Sequence, residues 1–219
     1  MRKFISPLVR VIWRGLGAGA PTGPHVTRYS MYQKLARFKS EGAQNERVLS
    51  ISGSADLCRI LGFADPNIVD TAYPDISLLD LPFEDNSFDA LVSDQVLEHV
   101  EGDLQRAVAE SVRVVKPGGL IVHATCLVMP MHMQPNDYWR VTPHGLRLLM
   151  EPYGEVIEAD GWGTPLIVLL DALGMRHEPI PERRWHPGNL IARANRQSWP
   201  VVTWAVTRLP VDADEIASA

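Results

Sequence analysis

The stretch Leu79–Val100 reads LDLPFEDNSFDALVSDQVLEHV. Phe88–Ser93 (FDALVS) is an apolar run of strand length, entered through the turn residues Asp85-Asn86-Ser87. Asp89 is expected to close the turn at the start of that strand. Ser93, Asp94 and Gln95 leave its far end, with Asp94 positioned to cap a helix beginning at Gln95 or to hold an ammonium group. Glu98 and His99 follow one helical turn later. His99 has the chemistry of a general base near neutral pH, or of a half-buried helix residue bonded locally.

Upstream, Arg47–Ser52 (RVLSIS) is a first short strand, Ala55–Leu61 a helix stopped by Gly62, and Asn67–Tyr73 a second strand. Downstream, Gly102–Val115 places Leu104, Val108, Val112 and Val115 on one helical face. Pro117-Gly118-Gly119 reads as a tight turn before the buried strand Leu120–Cys126. Glu155–Asp160 and Val201–Thr207 are the last strands, expected as an antiparallel edge. Strands alternating with helices predict an α/β fold with a mostly parallel sheet covered on both faces. Such sheets bind ligands at the C-terminal strand ends. The turn after the first strand, Ser50-Ile51-Ser52-Gly53-Ser54-Ala55-Asp56, therefore faces that edge. Its small residues allow close approach of a ligand, or make a plain strand-to-helix turn.

The 219 residues are 46% hydrophobic and 21% charged, which excludes a disordered chain. Cys58 and Cys126 lack metal-ligand spacing, so no metal is expected and a reduced, cytoplasmic compartment is. No apolar run approaches the ~18 residues of a membrane span. The net charge of −5 is uneven. Residues 1–47 carry nine Lys/Arg against two acids, and the remainder twelve against twenty-four. An acidic body without a basic face, and without a D/N-P-P-Y/F motif, argues against a nucleic-acid partner.

The basic arm begins with a helical pattern in which Phe4, Leu8, Ile12 and Leu16 recur every four residues and Lys3, Arg10 and Arg14 lie on another face. Arg10 and Arg14 interrupt the apolar stretch, which argues against a signal peptide. The helix either packs on its own domain or makes a peripheral contact with an anionic membrane through residues 1–17. Residues 18–27, rich in Gly and Pro, read as a linker, and 28–40 as a second short helix. The expected organisation is an N-terminal helical arm over 1–46, one domain over 47–210 and a disordered acidic tail over 211–219.

LPFEDNSFD, then LEHV, then RVVKPGG within Ala109–Gly119 resembles, in order and spacing, the class I S-adenosylmethionine-dependent methyltransferases. The resemblance covers about residues 47–150. It implies a Rossmann-like sheet of seven strands, mostly parallel, with an antiparallel last strand, and S-adenosylmethionine as cofactor. Ser50, Ser52, Gly53, Ser54, Asp70, Asp80, Leu81, Asp94 and Gln95 are then expected to line the cofactor. Leu81, Pro82 and Phe83 make an apolar clip suited to an adenine ring, or to core packing.

Two departures stand out. The family's first turn is D-x-G-x-G-x-G, whereas here the acid is replaced by Ser50 and the glycines by Ser52, Ser54 and Asp56. Serine carries a Cβ that resists positive φ. The second departure is length. The segment between Asn67–Tyr73 and LPF is too short for a parallel crossover, so the second helix and a third strand are expected to be missing or reduced. Asp70 is the nearest candidate for the acid that holds the ribose hydroxyls, with Asp75 next. Members with a similar shortening occur among methyltransferase-like proteins of cell-surface sugar gene clusters, which implies a saccharide or cell-envelope precursor as acceptor.

After Cys126, the loop holding His132, Asp137, Tyr138, Trp139 and Arg140 combines rings and charges, a composition suited to a polar, ring-bearing small molecule. It suits core packing of Trp139 and an Arg140–Asp137 pair as well. His132 joins His99 as a candidate base. Thr142 and Pro143 read as the start of a helix. The function expected is methyl transfer to a small or medium acceptor. The alternative is a non-catalytic methyltransferase-like binding or scaffold protein. The absence of G-x-G-x-x-G argues against a nicotinamide oxidoreductase.

Overall fold

The computed structural model describes residues 2–39, 42–133 and 135–211. In chain order the elements are α1 (Arg2–Gly17), β1 (Thr22–His25), α2 (Val26–Leu35), β2 (Val48–Ile51), α3 (Ala55–Ile60), β3 (Ile68–Asp70), β4 (Phe88–Asp94), α4 (Leu104–Val114) and β5 (Val115–Cys126). They are followed by α5 (Pro143–Met150), β6 (Glu155–Trp162), α6 (Leu166–Ala172), β7 (Pro179–Pro181), α7 (Pro187–Arg193) and β8 (Val202–Arg208). The expected acidic tail lies, from residue 212 onward, outside the described residues.

The main sheet has the order β3-β2-β4-β5-β8-β6. The pairs β2–β3, β2–β4 and β4–β5 are parallel. Strand β8 runs the other way: its end bonds the start of β5 (Leu209 N–H to Gly119 O, Gly118 N–H to Pro210 O), and Val201 N–H at its start bonds Trp162 O at the end of β6. This is the Rossmann-like, mostly parallel arrangement expected, but with six strands instead of seven. Between Asp70 and Phe88 the chain makes only turns and an isolated Ser77–Asp80 bridge, so the shortened segment has removed a strand and its crossover helix.

Local chemistry explains the elements. Asp103 caps α4 by accepting from Gln105 N–H, and Thr142 caps α5 by accepting from Gly145 N–H. Leu104, Val108 and Val112 of α4 pack with Leu49, Leu91 and Ile121 of the sheet in one core. Arg113 explains why LPFED and RVVKPGG occur together. Its guanidinium donates to the carbonyls of Leu81 and Phe83 (both 2.8 Å) and pairs with Asp85 and Glu110, tying the loop before β4 to α4.

Three local expectations are corrected. Pro117-Gly118-Gly119 is not a turn but the irregular start of the long strand β5, which pairs with β4 across a register shift. No helix begins at Gln95: that residue takes a left-handed φ of 62°, and a single 3₁₀ turn, Leu97–His99, follows. The helix that Asp94 was expected to cap is therefore not formed. The expected linker 18–27 contains β1, because Thr22–His25 finds an antiparallel partner in β7.

The chain divides into two compact units, residues 35–161 with 203–219 and residues 1–34 with 162–202. The observed division thus differs from the boundary at 46/47, since long-range contacts of 162–202 run to the N-terminal helices. In this second unit Trp13 is buried edge-on against His186, at a ring separation of 4.7 Å, and Arg10 and Arg14 both pair with Glu178 at 3.1 Å. Tyr29 Oη accepts from Asn189 Nδ2 at 3.0 Å. Helix α1 buries Trp13 and Gly17, while Leu8, Val11, Ile12 and Leu16 are exposed. The side chain of Phe4 lies outside the described residues. No described helix is long and apolar enough to cross a membrane.

Candidate functional site

The C-terminal ends of β2, β3, β4 and β5 meet at one edge of the sheet. Register places Ser50 beside Asp70, and Ile51 beside Ser93. The buried Ser50 hydroxyl donates to Asp70 Oδ1 at 2.5 Å, and Asp70 itself is exposed at the end of its strand. The turn that follows bends through left-handed residues, Ser52 at φ 51° and Gly53 at φ 81°. Serine thus adopts the conformation its Cβ disfavours, at a cost of roughly 1–2 kcal/mol, helped by the Ser52 N–H bond to Thr71 Oγ1 at 3.4 Å. A Cβ on Gly53 would meet nothing within 4 Å, so the lip of the turn opens into free space.

Ser54 does something else. Its buried hydroxyl donates to Ile51 O at 2.6 Å and accepts from Asp94 N–H at 2.7 Å, which ties the turn to the end of β4. Its oxygen is thus engaged inside the fold. Leu81 is likewise corrected: it is buried in the core, its N–H donates to Glu110 at 2.9 Å, and Phe83 packs edge-on to Phe88 at 5.1 Å. Leu81 and Phe83 of the apolar clip pack in the core, while Pro82 is exposed. Asp80 is exposed beside it, bridged to Ser77. Asp94 is buried at the strand end. Gln95 donates its N–H to Ala124 O, while its buried Nε2 has no hydrogen-bond partner among the described residues. Ser50, Ser52, Gly53, Asp70, Asp94 and Gln95 therefore share one strand-end edge.

The acceptor-side candidates gather around Glu98, which the sequence reading left outside the site. Glu98 is fully buried. Its backbone oxygen accepts from the N–H groups of Tyr138 (2.7 Å) and Trp139 (3.2 Å), and its Oε2 accepts from Thr125 Oγ1 at 2.7 Å. Trp139 also donates its indole N–H to Val100 O at 2.8 Å, leaving part of its ring exposed next to exposed Tyr138. Arg140 forms a fork to Asp137, whose carboxyl it holds down at about 2 against the opposing effect of burial. Of the two readings of this pair, the internal ion pair is the observed one.

His99 Nδ1 lies 2.5 Å from Asn136 O. A carbonyl only accepts, so Nδ1 carries a proton, and in the neutral imidazole the lone pair is on Nε2. His132 stacks edge-on to His99 at 4.8 Å, with Nε2 3.7 Å from Glu98 Oε1 and Nδ1 3.5 Å from Asp137 Oδ2. Cys126, buried at the end of β5, completes this group. Burial and the nearby Glu98 push its thiol well above the usual range. Thr125 and Cys126 carry no sequence signal beyond standing at a strand end, and Asn136 none beyond lying in the loop before α5.

Residues 33–123 match the family described as "Methyltransferase domain". A curated demethylmenaquinone methyltransferase of Desulfitobacterium hafniense (strain Y51) is 39% identical over 61 residues, which is 28% of this chain and 24% of that protein. The matched stretch thus spans about a quarter of the curated relative's length. Among solved structures, the complex of the Haloferax volcanii Trm112 methyltransferase activator with its methyltransferase aligns with TM-score 0.55 and 18% identity, over 84% of this chain and 90% of that one. The [4+2]-cyclase SpnF aligns with 0.53 and 15%, over 96% and 95%. Phosphoethanolamine N-methyltransferase 2 of Haemonchus contortus, in complex with S-adenosyl-L-methionine, aligns with 0.53 and 14%, over 83% and 53%. The fold is that of the class I methyltransferases.

Proposed function

We propose that this chain, with a methyltransferase-domain match over residues 33–123 on a class I methyltransferase fold, transfers a methyl group from S-adenosylmethionine to an oxygen or nitrogen of a small or medium-sized acceptor. The observation that carries the reading is the coincidence of that match with an open strand-end edge. A cofactor finds unfilled space before Gly53, an exposed carboxylate at Asp70 and an unsatisfied buried amide at Gln95. Ser50, Ser52, Gly53, Asp70, Asp94 and Gln95 are the residues that would hold it. S-adenosylmethionine, when bound, supplies a methyl group activated on a sulfonium.

The residues of the chain do the rest. Asp70 keeps a second carboxylate oxygen beyond the one held by Ser50, suited to ribose hydroxyls. His99, with its proton fixed on Nδ1, can take a proton at Nε2 from an acceptor hydroxyl or amine. Tyr138 and Trp139 offer ring faces to a saccharide or cell-envelope precursor, which is the acceptor class we favour. The exposed stripe of Leu8, Val11, Ile12 and Leu16 on the basic α1 supports a peripheral contact with an anionic membrane, where envelope precursors reside.

Calorimetric titration with S-adenosylmethionine and S-adenosylhomocysteine tests the reading. Micromolar binding of both, weakened by Gly53→Val, is expected. No detectable binding by folded protein at millimolar ligand would overturn it and leave a binding or scaffold role.

A further inference from the structure

The group around Glu98 contains more than an acceptor pocket needs. Glu98, Cys126 and His132 each offer one ligand atom, and the three atoms lie within 4.8 Å of one another. Tetrahedral zinc, with bonds of roughly 2.0–2.3 Å, holds its ligand atoms roughly 3.3–3.8 Å apart. Small side-chain rotations would therefore close the set on an ion. A second observation points the same way. Glu98 is fully buried, yet its Oε1 has no hydrogen-bond partner among the described residues. A buried carboxylate oxygen without a partner is costly. It faces His132 Nε2 at 3.7 Å, too far for a hydrogen bond.

We propose that Glu98, Cys126 and His132 form a zinc site at the C-terminal ends of β4 and β5, with a fourth position left for water or an acceptor oxygen. One sulfur, one nitrogen and one oxygen suit zinc better than magnesium or calcium, which take oxygen sets. The surroundings fit a metal-bound imidazole. While Nε2 faces Glu98, Nδ1 faces Asp137 Oδ2 at 3.5 Å, and Asp137 also accepts from the His132 backbone N–H at 3.0 Å. A carboxylate behind the second ring nitrogen fixes the orientation and basicity of a zinc-bound histidine. Thr125 holds the other oxygen of Glu98 in the same way. Charge balances too: a thiolate, two carboxylates, the Arg140 guanidinium and a divalent ion sum to neutrality. Three protein ligands and one open position are the arrangement of catalytic zinc, and an acceptor hydroxyl bound there would lose its proton more readily.

The inference goes beyond methyl transfer and is read without cofactor, so the two can fail separately. Titrate metal-free protein with Co²⁺, then displace it with Zn²⁺ and measure bound metal by mass spectrometry. The expected result is one equivalent of ion, tetrahedral cobalt absorption and a thiolate-to-cobalt band. Cys126→Ser should abolish that band, and Cys58→Ser should leave it. His132→Asn and Glu98→Gln should each weaken binding at least tenfold while keeping the band, and Asp137→Asn should weaken it roughly tenfold. If Cys126→Ser does not fold, His132→Asn, Glu98→Gln and Asp137→Asn decide. Folded wild-type protein with no thiolate band, or affinity unmoved by these substitutions, would overturn the site and leave a plain histidine–carboxylate contact.

Discussion

The hydroxyl of Ser50 donates to the carboxylate of Asp70 at 2.5 Å, across two strands in register. An acid at position 50 would set two carboxylates side by side. Serine instead gives Asp70 a donor, so the altered first turn holds the neighbouring acid in place. Ser50→Ala should cost roughly 1.5–3 kcal/mol, the range for a lost bond to a charged group, and Ser50→Asp should cost more. Urea unfolding of the three proteins checks the order. Equal stability of Ser50→Asp and wild type would show that the hydroxyl is not holding Asp70.

Gly53 combines a φ of 81° with empty space before it. A side chain there is penalised by backbone conformation and meets no protein atom. Gly53→Val should lower stability by roughly 1–2 kcal/mol, and it should weaken cofactor binding further by filling the lip. Calorimetry on protein shown to be folded separates the two effects.

Arg113 closes the loop before β4 with two carbonyl bonds and two ion pairs. Arg113→Met should cost roughly 2–3 kcal/mol by leaving Leu81 O and Phe83 O without their donor and Glu110 with only the Leu81 N–H. Arg113→Lys should recover only part, because an ammonium cannot reproduce the fork. Denaturant midpoints of the pair test this.

His123 is fully buried in β5, with Nδ1 2.7 Å from Ser93 Oγ. Burial pushes its pKa down to about 4. The unfolded chain binds this proton near pH 6.5 and the folded one does not. Stability is therefore complete above pH 6.5 and declines as pH falls toward 4, by an amount on the order of 3 kcal/mol for this group. Unfolding measured at pH 7.5 and pH 5 should show the decline, and His123→Asn should flatten the slope whatever its own stability.

Leu8 and Ile12 are 64% and 53% exposed on α1, whose anchor to its own unit is Trp13. Changing both to serine should leave the melting temperature nearly unchanged and reduce co-sedimentation with anionic vesicles several-fold. Equal sedimentation of both proteins would remove the membrane contact from the functional reading.

The sheet was legible because its strands are short apolar runs punctuated by turn residues and helix caps, signals carried within a dozen residues. Arg47–Ser52, Phe88–Ser93, Leu120–Cys126 and the Thr142 cap are all local in this sense. The missing seventh strand was legible too, since a chain too short for a crossover cannot make one. The resemblance in LPFEDNSFD, LEHV and RVVKPGG added the fold family. Tertiary structure alone decided how buried groups find partners over long separations. Sequence spacing cannot show that Arg113 clamps Leu81, that Ser54 bonds Asp94, or that residues 162–202 pack with 1–34. Nor can it show that Glu98, Cys126 and His132 converge at two strand ends. Propensity acts between neighbours in sequence, whereas desolvated polar atoms and ligand sets are matched only when the folded sheet brings distant residues together.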